Sequence, residues 1–256
     1  MTLGRINKLE TFGSVDGPGI RFVVFTQGCP MRCKFCYNPE TWDFAVEGGA
    51  HLPAEAPFEI SAGDLLKKAL RYKSYWGTEG GITVSGGEPL AQMDFMIEFF
   101  EAAKAAGVNT CIDTSGVNFV RNEPYFGKFK RLMAATDLLL VDIKHIDPAE
   151  HKALTGHDNA NILDMFRYLD EIHKPIWIRH VLVPGISDND DYLARTRDFI
   201  RTLGNVKRVD VLPYHALALA KYQQLGIDYP LKDVKSPSPE RVANAKKILE
   251  AALDKA

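Results

Sequence analysis

Cys29, Cys33 and Cys36 fall within eight residues, in the run Gln27-Gly28-Cys29-Pro30-Met31-Arg32-Cys33-Lys34-Phe35-Cys36-Tyr37-Asn38. Thiolates at C-x3-C-x2-C spacing on one short loop can serve one metal centre. A cubane iron–sulfur cluster takes one protein ligand per iron, four in all, so three cysteines leave one iron open. An open coordination position is what separates a metal site that binds substrate from a structural one. Met31, Phe35 and Tyr37 could shield such a cluster from water and tune its potential. A structural zinc site would want a nearby fourth ligand. The fourth cysteine, Cys111, is far off in the sequence and reads as a small buried strand residue. His51 could supply a ligand, but nothing in its loop fixes it.

Other polar residues stand where apolar runs end. Thr83-Val84-Ser85-Gly86-Gly87-Glu88-Pro89 offers two glycines that would let backbone approach a ligand closely. Asp113-Thr114-Ser115-Gly116, Asp142-Ile143-Lys144 and Leu212-Pro213-Tyr214-His215 occupy equivalent places. Taken singly, each has an ordinary reading: a tight turn, a helix cap, a solvated lysine, a hydrogen-bonded loop histidine. Their recurrence at successive strand ends points to one shared pocket.

The elements that must position these residues are legible as apolar runs. Strands are predicted at 21–26, 81–85, 109–113, 137–143, 176–183 and 208–212. These runs are near-continuously apolar, as strands buried on both faces are. Helical patterns fill the intervals at 61–73, 91–106, 123–134, 162–173, 188–203 and 239–253, with Ser61 as an N-cap and Gly107 as a stop. Strand–helix alternation predicts parallel β/α units in one domain over 1–256. Six units are too few for an eight-stranded barrel and fit either an open partial barrel or a doubly wound sheet. Phe44–Phe58, rich in Gly, Ala and Pro, reads as a surface loop.

The 256 residues are 46% apolar and 25% charged with a formal net charge of -2, the profile of a globular protein with no phosphate-backbone footprint. Neither an apolar leader nor a run of membrane-spanning length is visible, so the expected address is cytoplasmic.

C-x3-C-x-Φ-C, with Phe35 before the last cysteine and an apolar strand just ahead, resembles the signature of the radical S-adenosylmethionine (SAM) superfamily. Gly13-Ser14-Val15-Asp16-Gly17-Pro18-Gly19-Ile20-Arg21, Gly87-Glu88, Asp113-Thr114, Asp142-Ile143-Lys144, Arg179, Val183-Pro184-Gly185 and Leu212-Pro213-Tyr214-His215 resemble, in order, the glycyl-radical-enzyme activases of that superfamily. The sequence departs from their pattern at Tyr37, where a histidine is expected nearby, and at Ser115, where asparagine is expected.

The resemblance implies an α/β fold, a partial, open (β/α)6 barrel of parallel strands. It implies a [4Fe-4S] cluster on Cys29, Cys33 and Cys36. SAM would be contacted by Phe35, Cys36, Tyr37, Gly87, Glu88, Asp142, Ile143, Lys144 and His215. A monovalent cation would sit at Asp113, Thr114, Asp142 and the Leu140 carbonyl, with Asp16 on the substrate rim. The implied activity is anaerobic: reductive cleavage of SAM, then abstraction of hydrogen from a backbone glycine of a glycyl radical enzyme of the pyruvate formate-lyase type. Flavodoxin or ferredoxin would be the reductant. Two other readings stay open at this level. One is a radical SAM enzyme acting on another glycyl radical enzyme or a small molecule. The other is an iron–sulfur electron carrier, which would normally own a fourth cysteine.

Overall fold

The computed structural model describes residues 2–47, 49, 52 and 56–254. His51 and part of the Phe44–Phe58 loop lie outside the described residues. The strands are β1 (Leu3–Gly13), β2 (Arg21–Thr26), β3 (Phe58–Ser61), β4 (Gly81–Gly86), β5 (Asn109–Thr114), β6 (Leu138–Asp142), β7 (Ile176–Leu182) and β8 (Val206–Pro213). The helices are α1 (Ala62–Leu70), α2 (Met93–Ala105), α3 (Tyr125–Ala134), α4 (Pro148–Thr155), α5 (Ala160–Glu171), α6 (Asp190–Arg201), α7 (Leu219–Gln224) and α8 (Pro239–Glu250). Strand order in the sheet is β3-β1-β2-β4-β5-β6-β7-β8, open at both ends, so the parallel strands do not close into a barrel. All six predicted strands are present. The antiparallel pair β1 and β3 was not expected from the sequence.

Contacts divide the chain into two compact units: Met1–Pro30, Glu40–Thr114 and Asn118–Leu140 form the first, and Met31–Pro39, Ser115–Val117 and Val141–Ala256 the second. In the first unit, β2, β4 and β5 run parallel in strict register, with Arg21 beside Gly81 and Gly81 beside Asn109. Their valines and isoleucines are buried together with Phe95, Phe99 and Phe100 of α2. Ser61 caps α1 by accepting from the Asp64 N–H, as expected. Arg21 is fully buried and spans the starts of these strands. Its Nε donates to Thr83 Oγ1 at 2.9 Å, and its Nη atoms donate to Asn109 Oδ1 at 2.8 Å and the Ile82 carbonyl at 2.6 Å.

In the second unit, β7 and β8 pair in parallel. Helix α4, absent from the sequence reading, has a legible start: Asp147 caps the Ala149 and Glu150 N–H groups and Pro148 opens the first turn. α7 is a short addition after β8. Leu154, Phe166, Leu169, Ile178, Leu182 and Tyr222 are buried core residues of this unit.

Candidate functional site

The cysteine loop leaves the C-terminal end of β2. Cys29 belongs to the first unit, while Cys33 and Cys36 belong to the second. None of the four cysteines is in a disulfide. Among the described residues, no three His, Cys, Asp or Glu side chains are grouped to hold one metal ion. Ligands of a cluster bind separate irons, so that grouping is not what a cubane requires.

In the first unit, the turn after β4 is locked to the turn after β2. The Gly87 N–H donates to the Thr26 carbonyl and the Glu88 N–H to the Gly28 carbonyl, both at 2.9 Å. A Cβ on Gly87 would lie 2.4 Å from the Gly28 oxygen. These glycines were expected to admit a ligand; the backbone they admit is that of the cysteine loop. Gly28, at φ +102°, is closed over by Phe44, which a Cβ there would strike at 2.5 Å. Phe44 therefore anchors the segment that was read as a bare surface loop.

Glu88 is fully buried. Its Oε1 accepts from the Leu90 N–H at 3.1 Å and from the Thr114 hydroxyl at 2.5 Å. Two residues expected to meet ligands thus meet each other. Asp113 accepts from Ser85 Oγ at 2.8 Å. Successive strand residues point to opposite faces, so the Asp113 carboxylate and the Thr114 hydroxyl diverge. A cation touching both would have to use the Thr114 carbonyl, as it would that of Leu140. Asp16 sits in the loop before β2, where its carbonyl accepts from Thr83 Oγ1 at 2.7 Å. Thr83 pairs with Val23 midway along β2, so this contact sets the Asp16 backbone beside the middle of that strand.

In the second unit, the predicted residues gather around the later half of the loop. Backbone N–H groups of Arg32 and Lys34 donate to the Thr155 and Leu154 carbonyls at the end of α4, both at 2.9 Å. Lys144 Nζ lies 5.5 Å from the Phe35 ring centroid and 3.0 Å from Asp142 Oδ2. The exposed Tyr37 ring meets His215 edge-on at 5.5 Å between centroids. Ile143 is buried behind them, its carbonyl 2.7 Å from His180 Nδ1. Lys221, on α7, donates to Asn38 Oδ1 at 3.0 Å and lies 4.8 Å from the Tyr37 ring centroid. Nothing in the sequence marks Lys221, because a lysine on a short helix reads as a solvated charge. Burial pushes the Cys33 thiol up to about 12, against the pull of the Lys144 ammonium.

The model of the radical SAM superfamily matches residues 23–199. The chain belongs to that superfamily. Radical SAM membership implies a [4Fe-4S] cluster and SAM as cofactors. The chain is 52% identical over 246 residues to the pyruvate formate-lyase-activating enzyme of Streptococcus mutans serotype c, covering 96% of this chain and 90% of that protein. It is 50% identical to the enzyme of the same name from Listeria monocytogenes serovar 1/2a, covering 98% and 97%. In fold it is similar to Streptococcus suis SuiB bound to its precursor peptide SuiA, with a TM-score of 0.64 at 16% identity over 95% of this chain and 48% of that one.

The residues present fit the radical SAM cofactors. Cys29 and Cys36 are partly exposed and Cys33 is buried, none of them in a disulfide. A buried thiol held neutral would release its proton on binding iron, which takes the thiolate. Lys144 and Asp142 could supply charges complementary to the carboxylate and amino groups of a bound amino acid, and Tyr37 and His215 could offer ring faces to a nucleoside base.

Proposed function

We propose that this chain activates a pyruvate formate-lyase, a glycyl radical enzyme, by removing a hydrogen atom from a backbone glycine of that partner. The observation that carries the reading is the 52% identity to an enzyme of that name across 96% of the chain. Cys29, Cys33 and Cys36 would hold three irons of the cluster, leaving the fourth for SAM. When bound, the cluster held by Cys29, Cys33 and Cys36 would supply the electron for reductive cleavage of SAM. The protein binds, orients and excludes water.

In this reading the Gly87 turn and the Lys144–Asp142 pair hold the methionine end of SAM, and Phe35, Tyr37, Ile143 and His215 border the adenosine. Glu88 acts from behind, holding the turn through Leu90 and Thr114. A monovalent cation would draw on Asp113, Asp142 and the carbonyls of Thr114 and Leu140. Asp16 would be a rim residue that meets the partner's glycine loop. Flavodoxin or ferredoxin would deliver the electron. A cytoplasmic location belongs to this reading, because thiols reserved for iron need a reducing compartment. Among the described residues, no helix is long and apolar enough to cross a membrane.

The test mixes anaerobically reconstituted, reduced protein with SAM and purified pyruvate formate-lyase and follows electron paramagnetic resonance. A glycyl radical that requires SAM and each of the three cysteines is expected. A SAM-responsive cluster with no radical on that partner would point to a different substrate.

A further inference from the structure

Three carboxamides are buried beside the cysteine turn. Gln27 is fully buried, Asn7 is 2% exposed and Gln92 is 8% exposed. Gln27 Nε2 donates to the carbonyls of Glu40, at 3.1 Å, and Asp43, at 2.9 Å. With both amide hydrogens committed to carbonyls, Oε1 is left as an acceptor, and it takes Asn7 Nδ2 at 3.0 Å. The β1–β2 register slips by one residue between Ile6 and Lys8, so Asn7 is the extra residue of a bulge. Bulges re-aim a side chain that regular pairing would direct elsewhere. Gln92, four residues beyond Glu88, accepts from the Arg5 N–H at 2.7 Å. Its Nε2 donates to the carbonyls of Arg5, at 2.8 Å, and Gln27, at 3.1 Å.

The backbone these amides hold is the backbone that carries the chemistry. The segment hung from Gln27 offers its Thr41 and Trp42 carbonyls to the N–H groups of Gly28, at 2.9 Å, and Cys29, at 3.3 Å. The same turn receives the Glu88 N–H through Gly28. A core of this kind could be filled with leucine if only packing were needed, since a buried polar network costs stability when a member is left unpaired, as Asn7 Oδ1 is among the described residues. Carboxamides specify distance and direction as hydrocarbon does not.

We infer that Gln27 and Gln92, with Asn7 behind them, are positioning residues that fix the Cys29 turn against the Gly87 turn, and so set how the cluster and SAM meet. The inference rests on Cys29 being a cluster ligand. Gln27 acts through the 40–43 segment, and Gln92 ties the turn after β4 to the residue preceding Gly28.

The test uses the full chain, reconstituted with iron and sulfide, in wild-type form and as Gln27→Glu, Gln92→Glu, the double variant and Thr110→Val. Each glutamate keeps the shape but offers at most one donor where two carbonyls wait. Thr110→Val removes a buried hydrogen bond to the Ala135 carbonyl, remote from the turn. Iron content, the dissociation constant for SAM by equilibrium dialysis and the spin-resonance signal of the reduced cluster with SAM are read against each variant's melting temperature. Gln27→Glu and Gln92→Glu are expected to weaken SAM binding at least tenfold and alter the signal. The double variant should fall little below the worse single one, because both act on one frame. Thr110→Val should melt earlier yet bind SAM as wild type does. If Gln27→Glu gives no folded protein, Gln27→Met carries the same expectation without opposing oxygens. SAM binding unchanged in the glutamine variants, or lost in proportion to melting temperature with Thr110→Val on the same line, overturns the inference. Wild-type protein that takes up no cluster would instead sink the reading of Cys29 as a ligand.

Discussion

The Glu88 N–H donates to the Gly28 carbonyl at 2.9 Å, so the turn after β4 and the turn that leads into Cys29 are hydrogen-bonded as one piece. Gly87, between them, has no room for a methyl group. Gly87→Ala should therefore push the two turns apart, at a cost of about 1–3 kcal/mol for overpacking. Thermal unfolding of the metal-free protein measures that cost, and SAM binding by the loaded protein should fall with it. An alanine variant with wild-type stability and binding would refute the contact.

Thr114→Val removes the hydroxyl that donates to the buried Glu88 carboxylate. Leaving that buried acceptor unsatisfied costs about 1–3 kcal/mol. At about 2–4 °C per kcal/mol for a chain of this size, the melting temperature should drop by several degrees. Thr114→Ser keeps the donor and should recover most of the loss. A serine variant as unstable as the valine variant would assign the effect to packing instead.

The raised Cys33 value sets a pH dependence. The fold favours the neutral thiol, so the stability gained is complete below the ordinary value near 9 and is lost as pH climbs towards 12. In the metal-free protein at pH 8, iodoacetamide should label Cys29 and Cys36 well before Cys33 and Cys111, which mass spectrometry of peptides can count. Cluster assembly demands the thiolate and should release a proton from Cys33. Equal labelling of all four cysteines would contradict the burial.

His180 and His151 behave in the opposite direction. Burial lowers both, so the fold favours the neutral rings. The associated stability is present above 6.5, the ordinary value, and drains away as pH falls below it. His180 carries the buried contact to the Ile143 carbonyl, behind Asp142 and Lys144. Melting temperature should decline from pH 7 to pH 5, and His180→Gln should flatten part of that decline. Identical pH profiles for variant and wild type would remove His180 from the account.

The sequence by itself determined the six parallel strands, because each is a short apolar run whose burial on both faces leaves a local signature. It also determined the cysteine motif, since C-x3-C-x-Φ-C lies within eight consecutive residues. β1 escaped because its stretch carries Arg5, Lys8 and Glu10, so it reads as polar until an antiparallel neighbour on each side explains it. α4 could have been found from Asp147-Pro148, a cap followed by proline. Gln27, an amide at the end of an apolar strand just before Gly28-Cys29, was a visible anomaly, whereas Asn7 and Gln92 were not. Only the tertiary structure decided that Glu88 faces Thr114, that the Asp16 carbonyl meets Thr83, and that Gln92 reaches Gln27. Those facts depend on hydrogen bonds between residues far apart in the chain. Local periodicity records which face a residue occupies; it carries no record of which distant partner waits there.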